Sequence, residues 1–217
     1  MTTDNSTGGL VALLLADARL PIGGHARSGS LEPALAAGLT DIPGFIDLQL
    51  QTIARTDAGT AVVARALALA GHDLRPVLRA WAARTPSAAM REDAAIVGAA
   101  LTRLAGRLWP GAGIPPSSPG PVALGVIAAH AGVAPDALAR VVAHDTIQTI
   151  TSATLKLAPG DPLEVAAWTL AAFPAGEALV AATAHLTDPD DIPAGSAPAI
   201  ETCAETHTTA TRRLFRA

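Results

Sequence analysis

The chain has 217 residues, of which half are hydrophobic and only 16% are charged, and its formal net charge is −4. A single lysine and the lack of a basic stripe disfavour a protein that binds nucleic acid or anionic membranes. One cysteine excludes an internal disulfide framework, and no apolar run of about eighteen residues lacks charges or helix breakers. We therefore predict a cytoplasmic protein whose low charge leaves apolar surface for partners to cover.

The first half of the chain has the apolar spacing of helices. Residues 1–8 are mostly polar and are predicted to be flexible, and a short apolar segment follows them. Ser30 is placed to cap a helix that starts at Leu31. The start signal Asp41-Ile42-Pro43 predicts a long helix that reaches Ala70.

The second half begins with another helix start, at Thr85-Pro86-Ser87. In the helix that follows, Ile96, Ala100, Leu104 and Leu108 recur every four residues, which predicts a packed apolar stripe.

A segment rich in proline and glycine, residues 109–121, is predicted to form a mobile loop. Helical patterns continue after it, and the last predicted helix runs from about Pro198 to Phe215. Strand signals are weak throughout. We predict that residues 9–217 form a single all-α domain, a bundle of roughly nine or ten helices.

The longest helix of the second half, residues 135–157, carries an unusual number of threonine and serine hydroxyls. These hydroxyls are compatible with a wet interior or interface, but an ordinary solvated face is favoured because such helices are common on surfaces. The first interpretation supports an alternative function for the chain, a small-molecule-binding all-α regulatory protein.

Motifs for catalysis are missing or incomplete. The sole lysine, Lys156, does not lie in a phosphate-binding loop, and the six histidines lie far apart in the sequence. The acidic stretch 188–191 is similar to a metal-binding loop, but its proline and its position after Leu186 favour a plain turn. An enzyme that uses the aspartates of this stretch with a divalent ion stays an alternative. Cys203 has no neighbouring base. We predict a protein that is not an enzyme and has no cofactor or metal site of its own.

The turn between Asp17 and Glu32 is the most unusual segment. It combines a proline, several glycines, two serines and four charged side chains in a chain dominated by alanine and leucine. Ordinary connections between helices need fewer such residues, because glycine loses much entropy on ordering and proline lacks a donor. The turn is therefore predicted to be a recognition surface.

Several segments resemble the urease accessory protein UreF family, in the expected order along nearly the whole chain. Leu20-Pro-Ile-Gly23 with Ser28 and Leu31-Glu32 resembles its N-terminal signature. His207 and Arg213-Leu-Phe-Arg216 resemble its closing segment. Less specific blocks lie between these, at Arg91-Glu92 with Gly98, at residues 124–129 and at residues 156–159.

The resemblance implies a non-catalytic all-α chaperone of urease maturation. Family members associate with a UreD/UreH accessory protein, recruit the GTPase UreG, and dock on the urease apoprotein for nickel insertion. They tend to form homodimers. Residues that depart from the family pattern are expected to alter partner affinity more than the fold, and these are His25, Arg27, Ser30, Lys156 and Thr208.

The signature segments also supply the candidate partner-binding residues. A tight turn or plain core packing would explain some of them equally well. The candidates are Pro21, Gly23, Gly24, Ser28, Leu31, Glu32, Arg91, His207, Arg213, Leu214, Phe215 and Arg216.

Overall fold

The structure is a computed structural model that describes residues 7–210 and 214–215. Over these residues the chain forms eleven α-helices and two short 3-10 helices without a β-strand, so the prediction of an all-α bundle is confirmed. The α-helices are α1 (Gly8–Leu15), α2 (Leu31–Ala36), α3 (Ile42–Gln51), α4 (Ile53–Leu69), α5 (Arg75–Arg84), α6 (Ala88–Leu108), α7 (Gly120–His130), α8 (Pro135–Leu157), α9 (Pro162–Ala171), α10 (Phe173–Thr183) and α11 (Pro198–Thr208).

Two pairs of helices are nearly continuous. Thr52 alone separates α3 from α4, and Ala172 alone separates α9 from α10. With each pair counted as one bent helix, nine helices remain in the described part of the chain, within the predicted number. The predicted long helix from Asp41 to Ala70 is broken at Thr52, where the backbone leaves the helical region and the side-chain hydroxyl donates to the Leu48 carbonyl.

Helix α7 lies at the centre of the core, between α4 and α6, and α8 also packs against α4. Nine of the eleven residues of α7 are buried. Gly125 permits the close crossing with α4, because a Cβ at this position would lie only 2.3 Å from the carbonyl oxygen of Ala61. Small side chains on both helices therefore bring the two backbones together and maximise dispersion contacts.

The buried face of α6 differs from the predicted stripe. Ile96 is 40% exposed and Leu108 is 46% exposed, whereas Leu101 and Ala105 are buried. A repeat of exactly four residues drifts by about 40° per step around a helix of 3.6 residues per turn. The drift carries the two ends of the predicted stripe out of the core.

Two predicted helix ends are also corrected by the structure. Ser30 does not cap α2, since its backbone is left-handed and the hydroxyl of Ser28 accepts the Glu32 backbone N–H instead, at 3.3 Å. The last helix ends at Thr208 rather than at Phe215. Threonine hydroxyls in its final turn donate to nearby carbonyls, which favours termination of a helix.

The loop before α7 is shorter than predicted, because Gly120 already belongs to the helix. Its last two residues, Ser118 and Pro119, are buried. Gly98 of α6 permits this packing, since a Cβ there would overlap the carbonyl oxygen of Ser118. The predicted mobility of the loop stays a prediction.

Helices α9 and α10 expose much of their apolar surface. Val165 is the one buried residue of α9, whereas Leu163 is 77% exposed and Leu170 is 66% exposed. Taken together as residues Pro162–Thr183, the pair is the one stretch in the described part of the chain that is long and apolar enough to cross a membrane. Core helices of soluble proteins pass the same test, so a single such stretch is no argument for a span.

Candidate functional site: the junction of the N-terminal turn and the C-terminal segment

The first part of the turn is a small, self-bonded loop. The carboxylate of Asp17 accepts hydrogen bonds from the guanidinium and the backbone N–H of Arg19, at 2.7 to 3.2 Å. These bonds lower the pKa of Asp17 to about 2. Leu20 is buried and anchors the loop, while Pro21 and Gly23 are exposed. The loop therefore presents its backbone at Pro21 and Gly23 to solvent.

Left-handed backbone conformations shape the rest of the turn. Gly23 has φ +83°, and the single 3-10 turn Gly24–Ala26 follows it directly. Ser30 has φ +64° although it is not glycine, and its side chain is buried. This conformation costs a residue with a Cβ about 1–2 kcal/mol relative to glycine. The departure from the family pattern at Ser30 thus falls on a position where the backbone itself favours glycine.

Glu32, at the start of α2, holds the C-terminal segment of the chain. One carboxylate oxygen accepts the backbone N–H of Leu214 at 2.8 Å, and the other accepts the backbone N–H of Phe215 at 2.9 Å. The glutamate side chain is 16% exposed, so these charge-assisted bonds are partly shielded from water. The two signature segments of the chain therefore meet at a single carboxylate.

His207 of α11 also contacts Glu32 and Phe215. Its Nε2 lies 3.0 Å from the carbonyl oxygen of Phe215 and 3.6 Å from a carboxylate oxygen of Glu32. A carbonyl oxygen only accepts, so Nε2 carries the proton that it donates. The ring of Phe215 is buried and lies 5.1 Å from Nζ of Lys156 on α8, within the range of a cation–π contact.

Arg91 lies near α11 but has a structural contact of its own. Its guanidinium donates to the carbonyl oxygens of Thr85 and Pro86, both at 2.7 Å, and so closes the turn that precedes α6. Glu205 of α11 accepts hydrogen bonds from the hydroxyl of Ser87 and from the first turn of α6. The Ser87 hydroxyl, more than any other group, lowers the pKa of Glu205.

The structure brings together part of the predicted set. Glu32, His207 and Phe215 are in direct contact, and Leu214 beside them is 74% exposed. Leu31 is fully buried in the core. Ser28 is buried and bonds the start of α2, while Pro21, Gly23 and Gly24 form the outer part of the turn and Arg91 supports α6. Arg213 and Arg216 lie outside the described residues.

Sequence reasoning missed a second cluster of charges, on the inner side of the turn. The guanidinium Nε of Arg27 donates to Asp93 of α6 at 2.8 Å, and its Nη1 lies 3.6 Å from Asp145 of α8. Asp57 of α4 lies near the same guanidinium and accepts the indole N–H of Trp81 at 3.0 Å. Burial raises the pKa of Asp57 to about 6, against the opposing effects of Trp81 and Arg27. Arg27 therefore ties the turn to α6 and α8.

A weak sequence signal for this cluster exists. Asp93 falls on the helix face that Met90, Val97 and Leu101 share, and an acid within an apolar stripe indicates a buried partner. In the described part of the chain, no group of three histidine, cysteine, aspartate or glutamate side chains lies close enough to hold a metal ion.

Comparison with known proteins places this chain in a class of accessory proteins. A family model described as UreF matches residues 38–173. A protein of Mycobacterium sp. (strain JLS) is 35% identical over 212 residues, which cover 94% of this chain and 96% of the relative. A protein of Mycobacterium tuberculosis (strain H37Rv) is 34% identical over 213 residues, covering 94% of this chain and 97% of the relative.

A protein of Mycolicibacterium vanbaalenii (strain PYR-1) is 36% identical over 218 residues, covering 94% of this chain and 96% of the relative. All three relatives are named urease accessory protein UreF. The chain belongs to the UreF family.

Proposed function

We propose that this chain is a non-catalytic scaffold of urease maturation that acts in the cytoplasm. In this role it binds a UreD/UreH-like accessory protein, recruits a UreG-like GTPase, and docks on the urease apoprotein so that nickel enters the active site. Membership of the UreF family and the names of the relatives support this role. The structural observation that carries it is the junction at Glu32, where the N-terminal and C-terminal segments meet on one surface.

Leu214 is the part of this junction best suited to a partner. Its backbone N–H is fixed by Glu32, yet its side chain is 74% exposed. An apolar side chain held at a fixed position in water is a ready anchor, because covering it with a partner removes apolar area from solvent without further ordering.

The experiment is co-expression of the tagged chain with the UreD-like protein, the UreG-like GTPase and the urease subunits. We expect a soluble complex of the tagged chain with both accessory proteins, and urease that contains nickel and is active. Active urease formed equally well without this chain, or no complex when all partners are folded, would contradict the proposal.

Leu214→Asp sharpens the test. We expect this variant to lose the UreD-like partner, because a carboxylate would replace the apolar anchor. Leu108→Asp is the matched control, since Leu108 is also an exposed leucine, at 46%, but lies at the end of α6 outside the junction. Equal losses in both variants would show that Leu214 has no special role.

The proposal includes a homodimer, supported by the exposed apolar side chains elsewhere on the molecule. Leu10 and Leu13 of α1 are 71% and 69% exposed, and Leu163 and Leu170 of α9 are similarly open. Light scattering coupled to gel filtration on the purified chain measures the state directly. A monomer at all concentrations would remove the dimer from the proposal and leave the companion proteins as the partners of these leucines.

A further inference from the structure

A cavity of about 170 Å³ lies beneath the N-terminal turn, between α4, α6, α7 and α8. It is distinct from the junction at Glu32, and its lining includes Arg27 and Asp57. Thr146 and Thr149, from the hydroxyl-rich helix α8, also line it. The interpretation of that helix as the wall of a wet interior therefore fits these two residues.

The lining of the cavity carries an excess of negative charge. Three carboxylates face it, those of Asp57, Asp93 and Asp145, and Arg27 is the single cationic side chain among its described lining residues. With every carboxylate ionised, this part of the molecule has two more negative than positive charges. Such an imbalance inside a partly buried cavity favours a cation, because screening by water is weak there.

One carboxylate oxygen of Asp93 lacks a hydrogen-bond donor among the described residues. Its side chain is 11% exposed, and one carboxylate oxygen accepts Nε of Arg27. The other oxygen, Oδ1, is buried and has no hydrogen-bond partner in the described part of the chain. A buried carboxylate oxygen without a donor is costly, so a donor from a bound molecule would relieve that cost.

Much of the remaining wall of the cavity is apolar. This apolar part includes Ile53 of α4, Val97 and Leu101 of α6, and Leu124 of α7. The volume is close to that of the engineered lysozyme cavity of about 150 Å³ that accepts benzene. A ligand for this cavity therefore combines a small apolar body with a charged donor group.

We propose that this cavity binds a small organic monocation, an amine, amidine or guanidine attached to an apolar body of about benzene size. Its N–H groups donate to Oδ1 of Asp93 and to the carboxylate of Asp145, while the apolar body packs between α4 and α6. This binding does not depend on the proposed urease role. It gives the chain a ligand site in addition to its protein partners.

The experiment uses benzamidine as the probe, followed by calorimetry and by chemical shifts in NMR spectra of the whole chain. We expect saturable binding at one site with a Kd of about 1 mM or below, as is usual for a ligand of this size. Benzyl alcohol and benzoate have similar apolar bodies without the positive charge, and both should bind at least about tenfold more weakly.

Variants locate the site. Asp93→Asn should weaken benzamidine binding about tenfold or more, because a charged acceptor is lost. Glu92→Gln is the matched control, since it removes the same charge from the exposed neighbour on α6 and should leave the Kd unchanged. Asp145→Asn provides a second variant, at a half-exposed carboxylate. We expect it to weaken benzamidine binding and to leave folding intact, which circular dichroism checks.

Three results would overturn the proposal. The first is no saturable binding of benzamidine to the folded wild-type chain, which would indicate a cavity that holds only water. The second is benzyl alcohol binding as tightly as benzamidine. The third is an equal loss of affinity in Glu92→Gln and Asp145→Asn, which would indicate attraction to the net negative charge of the surface.

Discussion

The crossing of α4 with α7 and the helix α9 are both rich in apolar residues, but the crossing is buried and α9 is largely exposed. At the crossing, Ala61, Gly125 and Ile127 are buried, and Gly125 sits directly against the backbone of α4. On α9, Leu163 and Leu170 lie largely in solvent. At the crossing small residues let two helices approach closely, whereas on α9 two large side chains have no neighbour among the described residues to cover them.

This contrast explains how a chain with so few charges can remain a specific folded unit. Alanine and glycine allow close approach of helices, so burial at the centre depends on fit more than on side-chain size. The leucines left on α9 and α1 contribute little to the fold of the single chain. A partner that covered these leucines would remove their apolar surface from water and so gain binding free energy.

The largest effect is expected at the crossing. Gly125→Ala places a Cβ 2.3 Å from the carbonyl oxygen of Ala61, so the two helices must separate. We expect a loss of about 3 kcal/mol or more in the free energy of unfolding, measured with urea. The control is Gly106→Ala on α6, where a Cβ meets no atom within 4 Å. There the helix should gain about 0.5–1 kcal/mol. Equal effects at both glycines would break the comparison.

The next effect concerns Asp57, which lies on α4 outside the crossing. Its pKa is raised by burial to about 6 in the folded chain, above the value of 3.8 for an unperturbed aspartate. The folded state therefore holds the proton more tightly, so this group's stabilising contribution is full below pH 3.8 and is lost as the pH rises through 6.

Asp57→Asn should remove that dependence while retaining an oxygen that accepts the indole N–H of Trp81. We expect the variant to be more stable than the wild type by about 1–2 kcal/mol at pH 7 and to lose this advantage near pH 4. Urea denaturation of both proteins across this pH range measures the difference. A constant difference at all pH values would show that Asp57 titrates normally.

A smaller gain is expected from Ser30→Gly in the turn. The residue has φ +64°, a conformation that glycine adopts readily because it has no Cβ. We expect stabilisation of about 1 kcal/mol, seen as a higher urea midpoint. Ser28→Gly is a useful contrast, because the hydroxyl of Ser28 accepts the Glu32 N–H and its removal should destabilise the chain.

The smallest effect on stability is expected on the open face. Leu163→Asp combined with Leu170→Asp should change the free energy of unfolding by less than about 0.5 kcal/mol, because both side chains are already in solvent. The same variant should weaken association with a partner, measured by co-purification with the accessory proteins and by light scattering. A large loss of stability would show that α9 belongs to the core after all.

Much of the fold could be predicted from local signals. Proline and serine at helix starts located α6 correctly, and the hydroxyl of Ser87 does accept the backbone N–H of Met90. Local signals failed where tertiary contacts decide the outcome. The break at Thr52 coincides with the close approach of Gly195. A Cβ added at Gly195 would lie only 2.7 Å from the Cα of Thr52. No pattern near Thr52 reports a contact with a residue so distant in sequence.

The candidate site was predictable only as two separate segments. Resemblance pointed to Glu32 and to His207 with Phe215, but it did not show that they touch. The cluster of Arg27 with Asp93 and Asp145 was missed for a related reason, since three elements distant in sequence supply its members. Long-range pairing of charges leaves only a faint trace in a single sequence, such as an aspartate in an apolar stripe.

The bonds from Glu32 to the C-terminal segment join peptide groups that lie 182 and 183 residues further along the chain. Bonds between groups so distant in sequence close a long loop, which costs conformational entropy. The amide hydrogens of Leu214 and Phe215 therefore act as a natural reporter of whether the chain's end is seated. Slow exchange of these two hydrogens with deuterium indicates that both bonds to Glu32 are formed. A further slowing when a partner is added would indicate that the partner binds at the junction.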